Sequence, residues 1–130
     1  MSAKRNNLPL SPPCMCFATG ETSVRLEKDR KIGSGGADQE LALGGCIDLT
    51  EEDKTVLVCS LDSDGTDGPT DIAGGMTDYS TIARVVKTGV DFFELLYSHS
   101  SSELLKISED YILTGTTGTN VNSFYFVIVL

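Results

Sequence analysis

The sequence predicts a single α/β domain, a mixed β-sheet flanked by helices, with elements in the rough order β-β-α-β-α-α-β-β. Three observations predict it. The run TVLVCSL (55–61) is almost continuously apolar, as a strand covered on both faces is. The closing run SFYFVIVL is built from aromatic and β-branched residues that favour strands. Helix-period patterns stand between strand-like runs, which points to crossovers serving a parallel part of the sheet. A chain of 130 residues is one domain by length and can bury roughly two-thirds of the surface its unfolded form exposes.

Residues 1–13, MSAKRNNLPLSPP, are polar and basic, end in tandem prolines, and read as a tail or linker before a domain over 14–130. Residues 14–27, CMCFATGETSVRLE, read as two short strands broken around Gly20, the second alternating polar and apolar from Thr22 to Glu27. A glycine-rich entry, GSGG, leads into a helix whose apolar positions are Leu41, Leu43, Ile47 and Leu49, weakened by Gly44-Gly45. After TVLVCSL comes an acidic loop. DYSTIARVVKTG then predicts a helix opening at Asp78 and ending before Gly89, with Ile82, Val85 and Val86 inward. Asp91 starts a further helix, DFFELLYSHS, with Glu94 completing a capping-box-like pair and Phe92, Leu95 and Leu96 as its stripe. Tyr111–Thr114 reads as a short strand, GTTGTNVN as a second glycine-rich loop, and SFYFVIVL as the last strand.

A composition of 40% hydrophobic and 22% charged residues supplies a core and argues against disorder. The net charge of −9 argues against a broad basic face for nucleic acid or anionic membrane, though not against a small anion held by backbone N–H groups. No stretch approaches the roughly 18 apolar residues of a membrane span, and the N-terminus lacks a signal-peptide core, so the expectation is a cytoplasmic protein. Cys14, Cys16, Cys46 and Cys59 lack zinc-site spacing and read as buried free thiols. The lone histidine, His99, sits in a serine-rich stretch and reads as a surface residue.

Three loops concentrate glycine, hydroxyls and carboxylates: GSGGADQE (33–40), DSDGTDGPTD (62–71) and GTTGTNVN (115–122). If they converge at one sheet edge they form a site rich in N–H donors with acidic residues at its rim. An EF-hand starting at Asp62 fails, because Asp67 stands where glycine belongs and Ala73 where the bidentate glutamate belongs. A Walker loop fails because no Gly-Lys-Ser/Thr follows either glycine-rich loop. Magnesium on one or two aspartates with phosphate oxygens stays compatible. So does plain turn chemistry, with Asp62 and Asp64 as a solvated strand end and Thr70 or Asp71 as a helix cap.

GETSVRL, GGADQELAL, SDGTDGPTDIAGG and TGTTGTNVN, in that order, resemble the successive signatures of the MOFRL domain, the C-terminal domain of class II glycerate kinases. These glycerate 2-kinases also carry the name hydroxypyruvate reductase. The resemblance runs from about Pro13 to Leu130. It implies one wall of an interdomain site for transfer of the ATP γ-phosphate to the 2-hydroxyl of D-glycerate, with magnesium. A larger N-terminal domain, in cis or in trans, would supply a catalytic lysine. It further implies Asp64 and Asp67 as catalytic and magnesium contacts, and Gln39, Gly115, Thr117, Gly118, Thr119 and Asn120 as substrate- or nucleotide-binding residues. Two departures stand out. Where the pattern reads G-G-R-N-Q-E the chain has GGADQE, with Ala37 and Asp38, and Ser123 stands where aspartate is usual. Loss of the guanidinium removes a bidentate anion contact, which opens a second reading as a non-catalytic interaction module. Lys31 or Arg30 is the nearby candidate replacement cation. The sequence leaves the oligomeric state open.

Overall fold

The computed structural model describes residues 3, 6–27 and 31–130. In chain order the elements are β1 (Cys14–Gly20), α1 (Ala37–Cys46), a 3-10 turn (Glu51–Asp53), β2 (Val56–Asp62), β3 (Gly74–Thr77), α2 (Thr81–Val86), α3 (Phe92–Tyr97), α4 (Ser101–Ser108), β4 (Tyr111–Ile112) and β5 (Ser123–Val129). The strands form one sheet in the order β1-β5-β2-β3-β4.

The single α/β domain with helices flanking a sheet is as expected, but every pairing is antiparallel. The reason lies in β5. It inserts between β1 and β2, pairing Cys14–Gly20 on one side and Val56–Asp62 on the other. The crossover through α1 therefore does join two strands that run the same way, with β5 wedged between them where direct parallel pairing was expected.

Four elements differ from the sequence reading. Residues 21–27 form no strand: β1 stands at the edge of the sheet, and among the described residues only β5 pairs with it. Their alternation is real but serves packing: Thr22 and Val24 are half-buried while their neighbours are exposed. β3 is four residues with two glycines, too short and too poor in side chains to read as a strand. α4 hides in the serine-rich stretch, where Ser101, Ser102, Leu104, Leu105 and Ser108 make its buried stripe. α2 starts three residues after Asp78, which instead accepts the Ser80 N–H at 2.7 Å, and Val86 is 55% exposed rather than inward.

α1 works as the central rib. Its buried residues Asp38, Gln39, Ala42, Leu43 and Cys46 recur at helical spacing, and Ile47, expected inside it, is the capping residue. It packs on β2 and β3, and the Thr77 hydroxyl donates to the Ala42 carbonyl at 2.6 Å, fixing helix to sheet through a buried hydrogen bond. Leu43, Cys46, Ile72, Val85, Phe92, Leu104 and Leu105 form the core between the helices and this face. Asp91 caps α3 as expected, accepting the Phe93 and Glu94 N–H groups at 2.9 and 3.0 Å.

The opposite sheet face is not covered by any described element. Met15 and Phe17 are each 54% exposed and Met76 46%. Phe17 packs on Phe126 and Phe124 with ring centroids 5.0 and 5.9 Å apart. Continuous apolarity in β2 thus reflects two apolar faces, of which helices cover one. The four cysteines are free as read, but only Cys46 and Cys59 are buried; Cys16 is exposed and Cys14 half-buried on the edge strand, beyond the reach of the helices.

The Gly44-Gly45 pair separates into two roles. A Cβ at Gly44 would meet nothing within 4 Å, whereas one at Gly45 would collide with the stiff Val58 side chain. Gly44→Ala is expected to stabilise the domain by about 0.5 kcal/mol through helix propensity and reduced chain entropy. Gly45→Ala should destabilise it, by about 1–2 kcal/mol, through overpacking. Urea unfolding of the two variants should move the midpoint in opposite directions.

Candidate functional site

The register puts Asp62, Ser123 and Gly20 side by side, so β2 ends where β5 begins and β1 stops. All three glycine-rich loops therefore meet at one end of the sheet. The acidic loop is the junction between the other two.

On one side it holds α1. The N-cap position of α1 is Gly36, which has no side chain to satisfy the free N–H groups of the first turn. Asp67 does so from across the loop: its Oδ2 accepts the Gln39 N–H at 2.8 Å. Space for that carboxylate exists only because residue 36 lacks a Cβ, which would occupy the Asp67 carboxyl group. Gln39 answers with Nε2, donating to the Asp67 carbonyl at 3.2 Å and the Thr70 hydroxyl at 3.0 Å, while its Oε1 accepts from Ser102 at 2.6 Å. Gln39 is fully buried and its amide is used at both ends. In the structure it orients the loop, with both ends of its amide bonded within the domain.

On the other side the acidic loop holds residues 115–122. The Thr117 N–H donates to the Asp64 carbonyl at 3.0 Å and its hydroxyl to the Ser63 carbonyl at 2.6 Å. Asn120 Nδ2 donates to Asp64 Oδ2 at 3.1 Å, and the Val121 N–H to Ser63 Oγ at 2.8 Å. Gly115 and Gly118 take left-handed φ values of 67° and 78°, which bend this loop around Asp64. Gly115, Thr117, Gly118, Thr119 and Asn120 are all exposed. None of them is among the residues that line the cleft described below.

The two carboxylates expected to act together have opposite surroundings. Asp64 reaches the surface, and the Thr66 N–H and hydroxyl hold its carboxyl below the usual range, so it is ionised at neutral pH. Asp67 is 5% exposed, and burial pushes its carboxyl up to about 6 against the pull of the Gln39 and Asp38 N–H groups. It lines the cleft but spends its Oδ2 on the helix. Asp38 is also buried and shifted upward by burial, countered by hydroxyls from Ser60 at 2.5 Å and Ser123 at 2.7 Å. Two of the departures from the resembled pattern, Asp38 and Ser123, thus bond directly to each other and tie α1 to β5.

A cleft of about 380 Å³ opens beside this frame, lined by Gly33, Gly35, Gly36, Ala37, Glu40, Asp67, Gly68, Pro69 and His99 together with Thr22, Val24 and Ile32. No lysine or arginine among the described residues lines it. Lys31 borders a separate cavity with Glu94 and Glu103, and Arg30 lies outside the described residues. Among the described residues no group of three or more His, Cys, Asp or Glu side chains could hold a metal ion.

Sequence reasoning missed His99. It is half-buried, and its Nδ1 lies 2.8 Å from Glu40 Oε1 on the first turn of α1. It also missed Ser60, Ser63 and Ser102, whose hydroxyls it gave no role. The one available signal was their density near the glycine-rich loops.

Comparison with known proteins gives a consistent picture. A profile described as the MOFRL family matches residues 14–123. A glycerate 2-kinase of Pyrococcus horikoshii is 42% identical over 121 residues, covering 93% of this chain and 27% of that protein. A D-glycerate 2-kinase of Thermotoga maritima is 40% identical over 127 residues, 98% of this chain and 30% of that protein. The crystal structure of a Thermotoga maritima glycerate kinase superposes with a TM-score of 0.92 at 39% identity, over 99% of this chain and 30% of that one. The chain spans about 30% of the length of these relatives.

The raised Asp67 carboxyl gives a pH signature. Unfolded, it loses its proton near ~3.9; folded, it keeps it to about 6. Between these values the folded state binds more protons, so this contribution is full below ~3.9 and is lost as pH rises through about 6. It amounts to up to about 3 kcal/mol. In urea unfolding at pH 4.5 and pH 7, Asp67→Asn should flatten the fall in stability that the parent shows over this range.

Proposed function

The chain belongs to the MOFRL family, and on that premise we propose that it is the smaller domain of an ATP-dependent glycerate 2-kinase, forming one wall of an interdomain site. The observation that carries the reading is the convergence of the three loops on one hydrogen-bonded frame beside a cleft. The uncovered apolar sheet face and the threefold greater length of the relatives fit a domain that works against a larger one, in cis or in trans. Residues 1–13 then serve as a linker.

In this reading the exposed loop of Gly115, Thr117, Gly118, Thr119 and Asn120 faces the nucleotide or substrate, with the N–H groups of Gly115, Gly118 and Asn120 as donors, since those of Thr117 and Thr119 bond to the Asp64 carbonyl and the Thr117 hydroxyl. Phosphoryl transfer depends mainly on positioning and charge neutralisation, so a preformed frame is the protein's main contribution here. Magnesium would neutralise phosphate charge. It takes few protein carboxylates and completes its shell with water and phosphate oxygens. The ionised, surface-reaching Asp64 fits as such a ligand. Asp67 does not, because it is buried and committed to the first turn of α1.

Ala37 favours a second reading, a non-catalytic interaction module. Its methyl lines the cleft where an arginine would face an anion, and no other described cation lines the cleft. A single assay separates the readings. The chain alone should show no transfer from ATP to D-glycerate, and a family N-terminal domain added in trans should restore it. In that reconstituted protein Ala37→Arg should tighten D-glycerate or ATP binding by about tenfold or more, the value of a charge-assisted bidentate contact. Absence of both restoration and gain would favour the interaction module.

A further inference from the structure

Glu40 and His99 form a pair that neither the loops nor the sheet requires. Glu40 stands on the first turn of α1, one residue past Gln39, and His99 lies between α3 and α4. The two come within 2.8 Å although 59 residues separate them, and both side chains are less than one-fifth exposed. His99 holds a left-handed φ of 56°, a conformation that costs energy for a residue with a Cβ and is kept when surroundings enforce it. Its N–H to the Leu96 carbonyl, 3.1 Å, anchors the backbone there.

A carboxylate can only accept, so Nδ1 of the neutral ring carries the proton and donates it to Glu40. That fixes the tautomer: Nε2 keeps its lone pair, and no described hydrogen bond uses it. The ring borders two cavities at once, the cleft beside Ala37 and a neighbouring one of about 520 Å³ lined by Arg25, Glu27, Phe93, Glu94, Leu96 and Tyr97. The groups around it are therefore Glu40 on α1, Asp67 on the acidic loop, Arg25 and Glu27 on residues 21–27, and Glu94 and Tyr97 on α3. Carboxylates outnumber cations. A hydroxyl that donates a hydrogen bond suits this wall better than an anion does, so the hydroxyl of a ligand faces it and the ligand's anionic groups face away.

We propose that the Glu40–His99 pair is the proton-accepting group of the cleft and that its Nε2 receives the hydroxyl of a small hydroxy acid. This rests on the reading of the cleft as one wall of a hydroxy-acid kinase site. In the transfer step the substrate O–H bond breaks and its proton passes to Nε2. The hydroxyl oxygen's electron pair forms the new O–P bond to the γ-phosphorus of a nucleoside triphosphate. The bond from that phosphorus to the β–γ bridging oxygen breaks, and its electron pair leaves on the diphosphate. Glu40 steadies the imidazolium that results.

Because the chain has one histidine, its imidazole signals need no assignment. The test is ¹⁵N NMR of the whole chain at pH 8 with D-glycerate, and with propionate, which has the carboxylate but no hydroxyl. The expected result is an Nε2 signal in the unprotonated range that moves saturably with D-glycerate and not with propionate. Glu40→Gln should mix the tautomers and reduce that movement. His99→Asn, chosen because Asn tolerates left-handed φ, should raise the half-saturating D-glycerate concentration about tenfold, read from the Gly36 and Gly68 amides. An Nε2 signal that stays still while the Gly118 and Asn120 amides shift would overturn the proposal and leave the kinase reading standing. Equal movement with propionate would overturn it too, by showing a carboxylate contact. No movement anywhere counts against both.

Discussion

One buried carboxylate organises this molecule. Asp67 reaches from the acidic loop into the mouth of α1 and satisfies a first-turn N–H that Gly36 cannot. The helix then has a fixed end, Gln39 has a fixed amide, and Gln39 in turn seats the Thr70 hydroxyl and the Ser102 hydroxyl of α4. Remove the carboxylate and the acidic loop loses its grip on the helix that forms the rib of the core. The arrangement carries a cost, since burial holds the Asp67 carboxyl at about 6. A charge kept where folding alone would disfavour it is a mark of a loop held in one shape.

The same loop transmits that shape outward. Ser63 and Asp64 fasten residues 115–122 by five hydrogen bonds, two from Thr117, one each from Asn120 and Val121, and one from the Ser63 N–H to the Asn122 carbonyl. A glycine-rich loop left alone would sample many conformations. Tied in this way, it presents the N–H groups that remain free, those of Gly115, Gly118 and Asn120 among them, at the same sheet end as the cleft. Asp38 adds a second tie, from α1 to both β2 and β5, through the hydroxyls of Ser60 and Ser123. The cleft itself lacks a lysine or arginine among the described residues, so its one paired basic group, His99, stands out.

Much of this was legible in the sequence. β2 and β5 announced themselves by apolar and β-branched runs, α3 by the Asp91 cap, and the meeting of the three loops by their placement beside strand and helix ends. What escaped had physical reasons. β5 enters between β1 and β2 from the far end of the chain, and local pattern carries no information on such pairing. β3 has almost no side chains to show a period. α4 buries serines where a helix is expected to bury leucines, because small residues let it approach Gly36 and Gln39 closely, with Ser101 Oγ accepting the Gly36 N–H at 3.3 Å. The acidic residues carried a sharper lesson: spacing shows that Asp64 and Asp67 are close in sequence, yet only burial shows that one faces solvent and the other caps a helix.

The claim that the acidic loop couples helix and glycine-rich loop is tested most directly by amide hydrogen exchange on Asp67→Ala. The Gln39 amide loses its acceptor in any case. The account predicts that the Thr117 and Val121 amides lose protection together with it, because the loop that holds them is no longer braced against α1. Loss of protection at Gln39 alone, with Thr117 and Val121 exchanging as in the parent chain, would contradict it.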